Sequence, residues 1–412
     1  MSKYFFIIGR NRDLSFAEIL SVFSKKNISF KHTLTSSETA IFSFENSQDL
    51  GELVKCLGGT VKIGKIIDEI DLDESERKLD EIFAGENLIN CYFEGVSGKI
   101  HFGVSIYFAE DGINNVAQFN KLLPYLNGLI KDNLAGIGKR SGFLRIKERY
   151  LSSVSVAKNQ LLTHGAEIVV LVTHDKLLIG KTLSVQEFGR FAFRDMGRPE
   201  RDKKSGIMPP KLARMMINLA EIDNNCVLLD PFCGSGTILQ EAVILGYKNI
   251  IGSDISNKAI SDTRNNLDWL FKYYQGIDRS SYNIKLQQAD VSSINKYFSY
   301  NTIDAIITEP YLGPPLHKQP DINQIKRFAK ELETLYSIAF AQFVKILHPG
   351  GKVVMIFPVF ESNNQLVYIE ILEKITHLGF IQNELLESQR RTITYGDKSQ
   401  FLKREIISFT KR

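Results

Sequence analysis

Acidic side chains recur in the second half of the chain at places where main chain can come close to a ligand. The first is Val227-Leu228-Leu229-Asp230-Pro231-Phe232-Cys233-Gly234-Ser235-Gly236-Thr237, an apolar run that turns on glycines and enters a helical pattern. Glycine allows close backbone approach, and such a turn delivers a bound molecule to a helix N-terminus. The second is Ile250-Ile251-Gly252-Ser253-Asp254-Ile255, with Asp254 eighteen residues beyond Gly236. An acid at that strand end holds ribose hydroxyls in doubly wound nucleotide sites. The third is Ala289-Asp290-Val291, whose carboxylate is positioned to accept from an adenine amino group. Asp254 or Asp290 alone could be a helix cap; recurrence at successive strand ends favours a ligand. Asp230 opposes a phosphate ligand by like charge and suits a cofactor with a sulfonium and an ammonium group. Gly-x-x-x-x-Gly-Lys-Ser/Thr and the third glycine of the dinucleotide fingerprint are both absent, which demotes ATP and NAD. The expected cofactor-binding set is Asp230, Phe232, Cys233, Gly234, Ser235, Gly236, Thr237, Asp254, Ile255, Asp290 and Val291.

Asp-Pro-Phe-Cys-Gly-Ser-Gly-Thr resembles motif I of the class I RNA and DNA amino-methyltransferases. The order of parts resembles the THUMP-type tRNA (guanine-N2-)-methyltransferase family more closely, and Pro209-Pro210-Lys211-Leu212-Ala213-Arg214 resembles that family's helix leading into motif I. The likeness is strong over about residues 180–320 and diffuse over 1–180. It implies S-adenosylmethionine as cofactor, tRNA or another structured RNA as substrate, and an RNA-binding region ahead of the catalytic one. It says nothing about an activating subunit.

At the fourth strand end, Ile306-Ile307-Thr308-Glu309-Pro310-Tyr311-Leu312-Gly313-Pro314-Pro315 stands where amino-methyltransferases place Asp/Asn/Ser-Pro-Pro-Tyr. An exocyclic amine is a poor nucleophile because its lone pair is delocalised into the ring. Oxygen acceptors for its two hydrogens help localise that pair, and the aromatic residue stacks on the extruded base. Methyl transfer is then an in-line displacement aided mainly by positioning. The chain departs from the pattern. Anchoring on Pro310-Tyr311 makes Thr308 the acceptor, whereas a one-residue deletion makes it Glu309. Glu309 is preferred, since a carboxylate accepts from both the ring N–H and the amino group of guanine. The expected catalytic set is Thr308, Glu309, Pro310 and Tyr311, under a stiff loop at 312–321. Cys233 is a small packed residue on this reading, and no Gly-x-Ser-x-Gly or nucleophilic histidine arrangement occurs.

These turns need a scaffold. Residues 205–410 alternate short apolar strands (227–229, 250–253, 284–288, 303–307, 352–357) with helices (236–245, 258–274, 325–347), the pattern of a parallel sheet covered on both faces. Residues 401–410 are expected to return as an antiparallel edge strand. The fold class is α/β: a Rossmann-like class I methyltransferase domain with a mostly parallel seven-stranded sheet, preceded by a smaller α+β THUMP-like RNA-binding region. The expected divisions are an N-terminal α/β subdomain at 1–65, the THUMP-like domain at 66–183, a basic linker at 184–204 and the methyltransferase domain at 205–412. Within 1–60 the pattern is strand, helix (15–23), strand, helix, and the acidic stretch 65–81 is expected to be a solvated surface helix. Strands at 100–108, 143–147, 168–172 and 176–182 and helices at 116–133 and 155–162 follow.

The 412 residues carry 51 basic and 47 acidic side chains, a formal net charge of +4. Distribution matters more than that total. Residues 131–158 hold seven basic residues against two acids, and 188–214 hold eight against three. Each window suggests a positive track for a phosphate backbone, with an ordinary solvated surface as the plainer alternative. The expected RNA contacts are Lys139, Arg140, Arg145, Lys147, Arg149 and Lys158. Cys56, Cys91, Cys226 and Cys233 form no C-x-x-C pair, which argues against a zinc site or disulfide framework and suits a reducing cytoplasm. The apolar run before Arg10 is too short for a signal or membrane span. No metal is expected. Alternatives are methylation of rRNA guanine N2 or of a DNA adenine amino group, or a cofactor-binding RNA-interaction protein with weak turnover.

Overall fold

Runs rich in Val, Ile and Phe pair into two separate sheets, one in each of two units: Met1–Arg12 with Ser29–Phe188, and Asp13–Ile28 with Gly189–Arg412. The computed structural model describes residues 1–113, 116–201, 208–316, 319–362, 365–386, 392–396 and 400–412.

The first unit is built on β1 (Ser2–Ile8), β2 (Lys31–Thr35), β3 (Thr39–Phe44), β4 (Thr60–Asp71), β5 (Ile100–Phe108), β6 (Ser141–Phe143), β7 (Gly165–Val172) and β8 (Lys176–Val185). Their order is β2-β3-β1-β4-β8-β7-β5-β6, antiparallel except where β5 pairs with β7 and β6. Ile70, Phe102, Ile168 and Ile179 share a core with residues of α2 (Ser75–Ile82), α3 (Gly85–Tyr92) and α4 (Val116–Gly136). The expected boundary at residue 65 falls inside β4, so the segments on either side of it contribute to one sheet. The acidic stretch 65–81 is therefore strand first and helix only from Ser75. Its Ile66 and Ile70 are buried between neighbouring strands, which outweighs the acids around them. The strand expected over 143–147 stops at Phe143, and the helix expected over 155–162 is α5 (Ser153–Lys158). After Phe143 the chain is held by Leu151, whose N–H donates to Ser105 Oγ and whose carbonyl accepts from the buried Lys62.

In the second unit β11 (Asn283–Gln288), β10 (Asn249–Asp254), β9 (Val227–Asp230), β12 (Ile303–Thr308) and β13 (Leu347–Ser362) run parallel in that order. β17 (Leu402–Lys411), antiparallel to its neighbours, and β15 (Phe380–Gln382) complete a seven-strand path, with β14 (Gln365–Val367) and β16 (Ile393–Tyr395) as short additions. The expected terminal edge strand is thus interior: β17 lies between β13 and β15, with Ile406, Ile407 and Phe409 buried.

One core cluster packs α7 (Pro210–Leu219), α8 (Thr237–Ile244) and α9 (Asn257–Tyr273) on the sheet; another packs α10 (Ile322–Ile346) and α11 (Leu372–His377). α1 (Arg12–Lys25) belongs almost wholly to this unit, not to the N-terminal one where the sequence order puts it. Its Leu14 and Ala17 join the α7 core, and its buried Glu18 accepts from Asn218 at 2.7 Å. Phe188–Met196 of the expected linker is helix α6, while 202–204 lies outside the described residues. No helix among the described residues is long and apolar enough to cross a membrane.

Candidate active site

Parallel pairing puts the ends of β11, β10, β9 and β12 side by side. Gly252 is registered with Asp230, Asp254 with Gln288, and Ile306 with Leu229, so the acids at four strand ends share one edge. Asp230 is only 2% exposed; its Oδ1 accepts from Thr308 Oγ1 at 2.6 Å and from the Phe232 N–H at 3.2 Å. Burial pushes its carboxyl up to about 7 against those two hydrogen bonds, with the charges of Asp254 and Glu309 adding to the rise. That mutual influence is a direct sign that the three acids converge.

The glycine turn is built by local bonds. Cys233 N–H donates to Ser253 O, Gly236 N–H to Cys233 O, and Gly234 N–H to Asp254 Oδ2 at 3.0 Å. Gly234 and Gly236 have φ of +51° and +82°, a region that disfavours other residues. A Cβ on Gly236 would meet Thr263 at 2.9 Å, whereas one on Gly234 would meet nothing within 4 Å. The turn is therefore packed on one side and open on the other. Ile255, next to Asp254, is an apolar side chain left 66% exposed at this edge. Asp254 also accepts from Ser256 N–H, bracing the turn into α9, and Asp290 from Ser292 N–H as a local cap. Each has two oxygens and spare lone pairs for a ligand. Val291 is buried beneath the edge, and Cys233 is buried with its thiol pushed up by desolvation, which suits packing and not nucleophilic chemistry.

Thr308 and Glu309 separate here. Thr308 is buried and spends its hydroxyl on Asp230. Glu309 is half-buried, and its Oε1 accepts from Arg404 Nε at 2.6 Å. Tyr311 is 58% exposed, and its carbonyl is held by the buried Tyr336 hydroxyl at 2.7 Å. Pro310 between them is buried. Arg404 and Tyr336 were missed from the sequence. Arg404 reaches the site because β17 pairs with β13, setting it opposite Pro358, and no local pattern announces that pairing.

The two basic windows have different fates. Lys139, Arg140, Arg145, Lys147 and Lys158 are exposed. Arg149 is not a free cation: it forks onto Glu38, donates to the Ile106 carbonyl and lies 4.5 Å over the Phe108 ring. In the second window Arg194, Arg198 and Arg214 are buried, Arg194 and Arg214 both on Glu241 and Arg198 on Thr237 Oγ1. The window at 188–214 thus divides: these three are internal, Arg190, Arg201 and Lys211 are exposed, and Lys203 and Lys204 lie outside the described residues. Among the described residues no cluster of three His, Cys, Asp or Glu side chains is placed to hold a metal ion.

Residues 198–367 match a family model described as RMKL-like, methyltransferase domain, and residues 124–265 match one described as DNA methylase. The tRNA (guanine(10)-N2)-dimethyltransferase of Methanocaldococcus jannaschii is 31% identical over 199 residues, 47% of this chain and 50% of that protein. A probable tRNA (guanine(10)-N2)-dimethyltransferase of Methanothermococcus thermolithotrophicus is 34% identical over 115 residues, 28% of this chain and 68% of that protein. The chain thus spans about half the length of the first of these curated relatives. TrmN from Thermus thermophilus, a solved structure, superposes over the whole of both chains with a TM-score of 0.56 at 14% identity, a likeness of fold. On these matches the chain belongs to the tRNA (guanine-N2-)-methyltransferase family.

Proposed function

We propose that this protein methylates the N2 exocyclic amine of a guanosine in tRNA with S-adenosylmethionine as cofactor. The observation that carries the reading is one sheet edge holding the open glycine turn, Asp230, Asp254 and the Glu309–Arg404 pair. The residues fit the cofactor: a buried, poorly solvated carboxyl at Asp230 favours a cationic ligand, and the open face of Gly234 leaves room for one. When bound, the cofactor supplies a methyl group on cationic sulfur. Asp254 holds ribose hydroxyls, Asp290 accepts from the adenine amino group, and Ile255 and Val291 flank that ring. Glu309 accepts from guanine N1–H and N2–H, and Arg404, bonded to its Oε1, keeps it aimed. Tyr311 stacks on the base. Holding the amine in line needs no strong base.

The first unit is a THUMP-like RNA-binding region on this reading, with Lys139, Arg140, Arg145, Lys147 and Lys158 on phosphates, and the protein works in the cytoplasm. A cofactor-binding protein without turnover is the second reading, favoured by Glu309 already being engaged by Arg404. Methyl transfer from labelled cofactor to total tRNA, rRNA and duplex DNA tests this. Label in tRNA recovered as N2-methylguanosine is expected; label only in rRNA or DNA, or in none, overturns it. Asp254→Ala is expected to weaken cofactor binding, and Glu309→Ala or Tyr311→Ala mainly to slow turnover. Equal cofactor loss in all three contradicts these roles.

A further inference from the structure

Three guanidinium groups lie buried beside the glycine turn with one carboxylate among them. Arg194 and Arg214 share the buried Glu241. Arg198 is 3% exposed; its Nη1 donates to Thr237 Oγ1, while its Nε and Nη2 are buried with no acceptor among the described residues. Beyond these, Asp195 and Glu241 favour the charge of Arg198 and Arg201 opposes it, none of them in an ion pair with it. A buried cation with unmet donors is costly unless an anion completes it. Thr237 is the first residue of α8, immediately after the turn, where free N–H groups and the helix dipole also favour negative charge. The segment that carries Arg198 is tied to the same turn: Asn266 bonds both the N–H and the carbonyl of Glu200 and also donates to Ser235 O.

We infer that Arg198 is the anchor for the α-carboxylate at the amino-acid end of the cofactor, taking it on Nε and Nη2. The inference rests on the cofactor reading above. Its burial suits a small ligand carboxylate and not a polynucleotide phosphate, which would need an exposed cation. Asp230, near the middle of the same edge, faces the cationic part of the ligand, so the two ends of the amino-acid tail meet opposite charges.

The test uses the full chain and two ligands titrated calorimetrically: S-adenosylhomocysteine, and S-adenosyl-3-thiopropylamine, which keeps the amine and lacks only the carboxylate. In the wild type the first is expected to bind about a hundredfold more tightly, as for two charge-assisted hydrogen bonds. In Arg198→Met that gap should close to within a few-fold, with thiopropylamine binding unchanged; Arg198→Lys should keep part of the gap and serves if the methionine variant does not fold. A gap that survives in both variants, or equal weakening of both ligands, overturns the anchor while leaving the cofactor reading intact. Failure of the wild type to bind either ligand overturns both.

Discussion

The basic windows at 131–158 and 188–214 carry the same net charge in sequence and differ in how much of it folding buries. In the first, Lys139, Arg140, Arg145 and Lys147 stand in solvent around a loop pinned by Leu151. In the second, Arg194, Arg198 and Arg214 are buried around α8, with Arg194 packed on Phe191 and Tyr274 and Arg214 on Phe191, while Arg190, Arg201 and Lys211 stay exposed. The difference teaches that a run of arginines marks a phosphate track only when its side chains have no acids or rings to pack against. Guanidinium is well suited to burial because its fork matches carboxylate and its face stacks on aromatics. The buried arginines of the second window should therefore answer mutation through stability, and the exposed basic residues of the first through RNA affinity.

Glu241→Gln should have the largest effect, since it strands two buried guanidiniums. About 3–5 kcal/mol of stability should be lost in urea melts, and a loss under 1 kcal/mol would remove the distinction between the windows. Asp230→Asn sharpens the same contrast with a buried acid that lacks a cation. Its folded-state pKa of about 7 exceeds the ordinary 3.8, so the unfolded chain releases this proton first as pH rises. Stability is therefore lost between about pH 4 and 7, on the order of 4 kcal/mol, and is level above that. The asparagine variant keeps an acceptor for Thr308 and lacks that decline, so its advantage over the wild type should grow from pH 5 to pH 8. A difference independent of pH contradicts the burial account.

Arg149→Ala tests the exception inside the exposed window. Losing the half-buried Glu38 pair and the Phe108 contact should cost about 1–2 kcal/mol in thermal or urea unfolding, where Lys147→Ala costs nothing measurable. Smallest in stability is the quadruple replacement of Lys139, Arg140, Arg145 and Lys147 by alanine, expected within about 0.5 kcal/mol of wild type. The same variant should bind tRNA more weakly, with a salt dependence shallower by up to about four ions. Unchanged tRNA affinity and salt slope would move the RNA track elsewhere.

Local signals were legible where one short segment does the whole job. The glycine turn, Asp254 after the next strand and the apolar strands of the second unit all follow from neighbouring residues, because backbone conformation and strand burial are set within a few positions. The Thr308–Glu309 ambiguity was not resolvable that way. Both side chains sit at one strand end, and only the partners brought by other strands, Asp230 for one and Arg404 for the other, divide their roles. Placement of α1, the interior position of β17 and the strand within 65–81 also depend on pairing with segments far along the chain.

By itself the sequence determined the order of the strands and helices, the turn that admits a ligand and the set of acids along one sheet edge, because periodicity and glycine conformation are properties of adjacent residues. Tertiary structure alone decided which charges remain in water. A charged side chain's environment is set by the neighbours folding brings to it, and for Arg149, Arg194, Arg404 and Asp230 those neighbours come from distant parts of the chain.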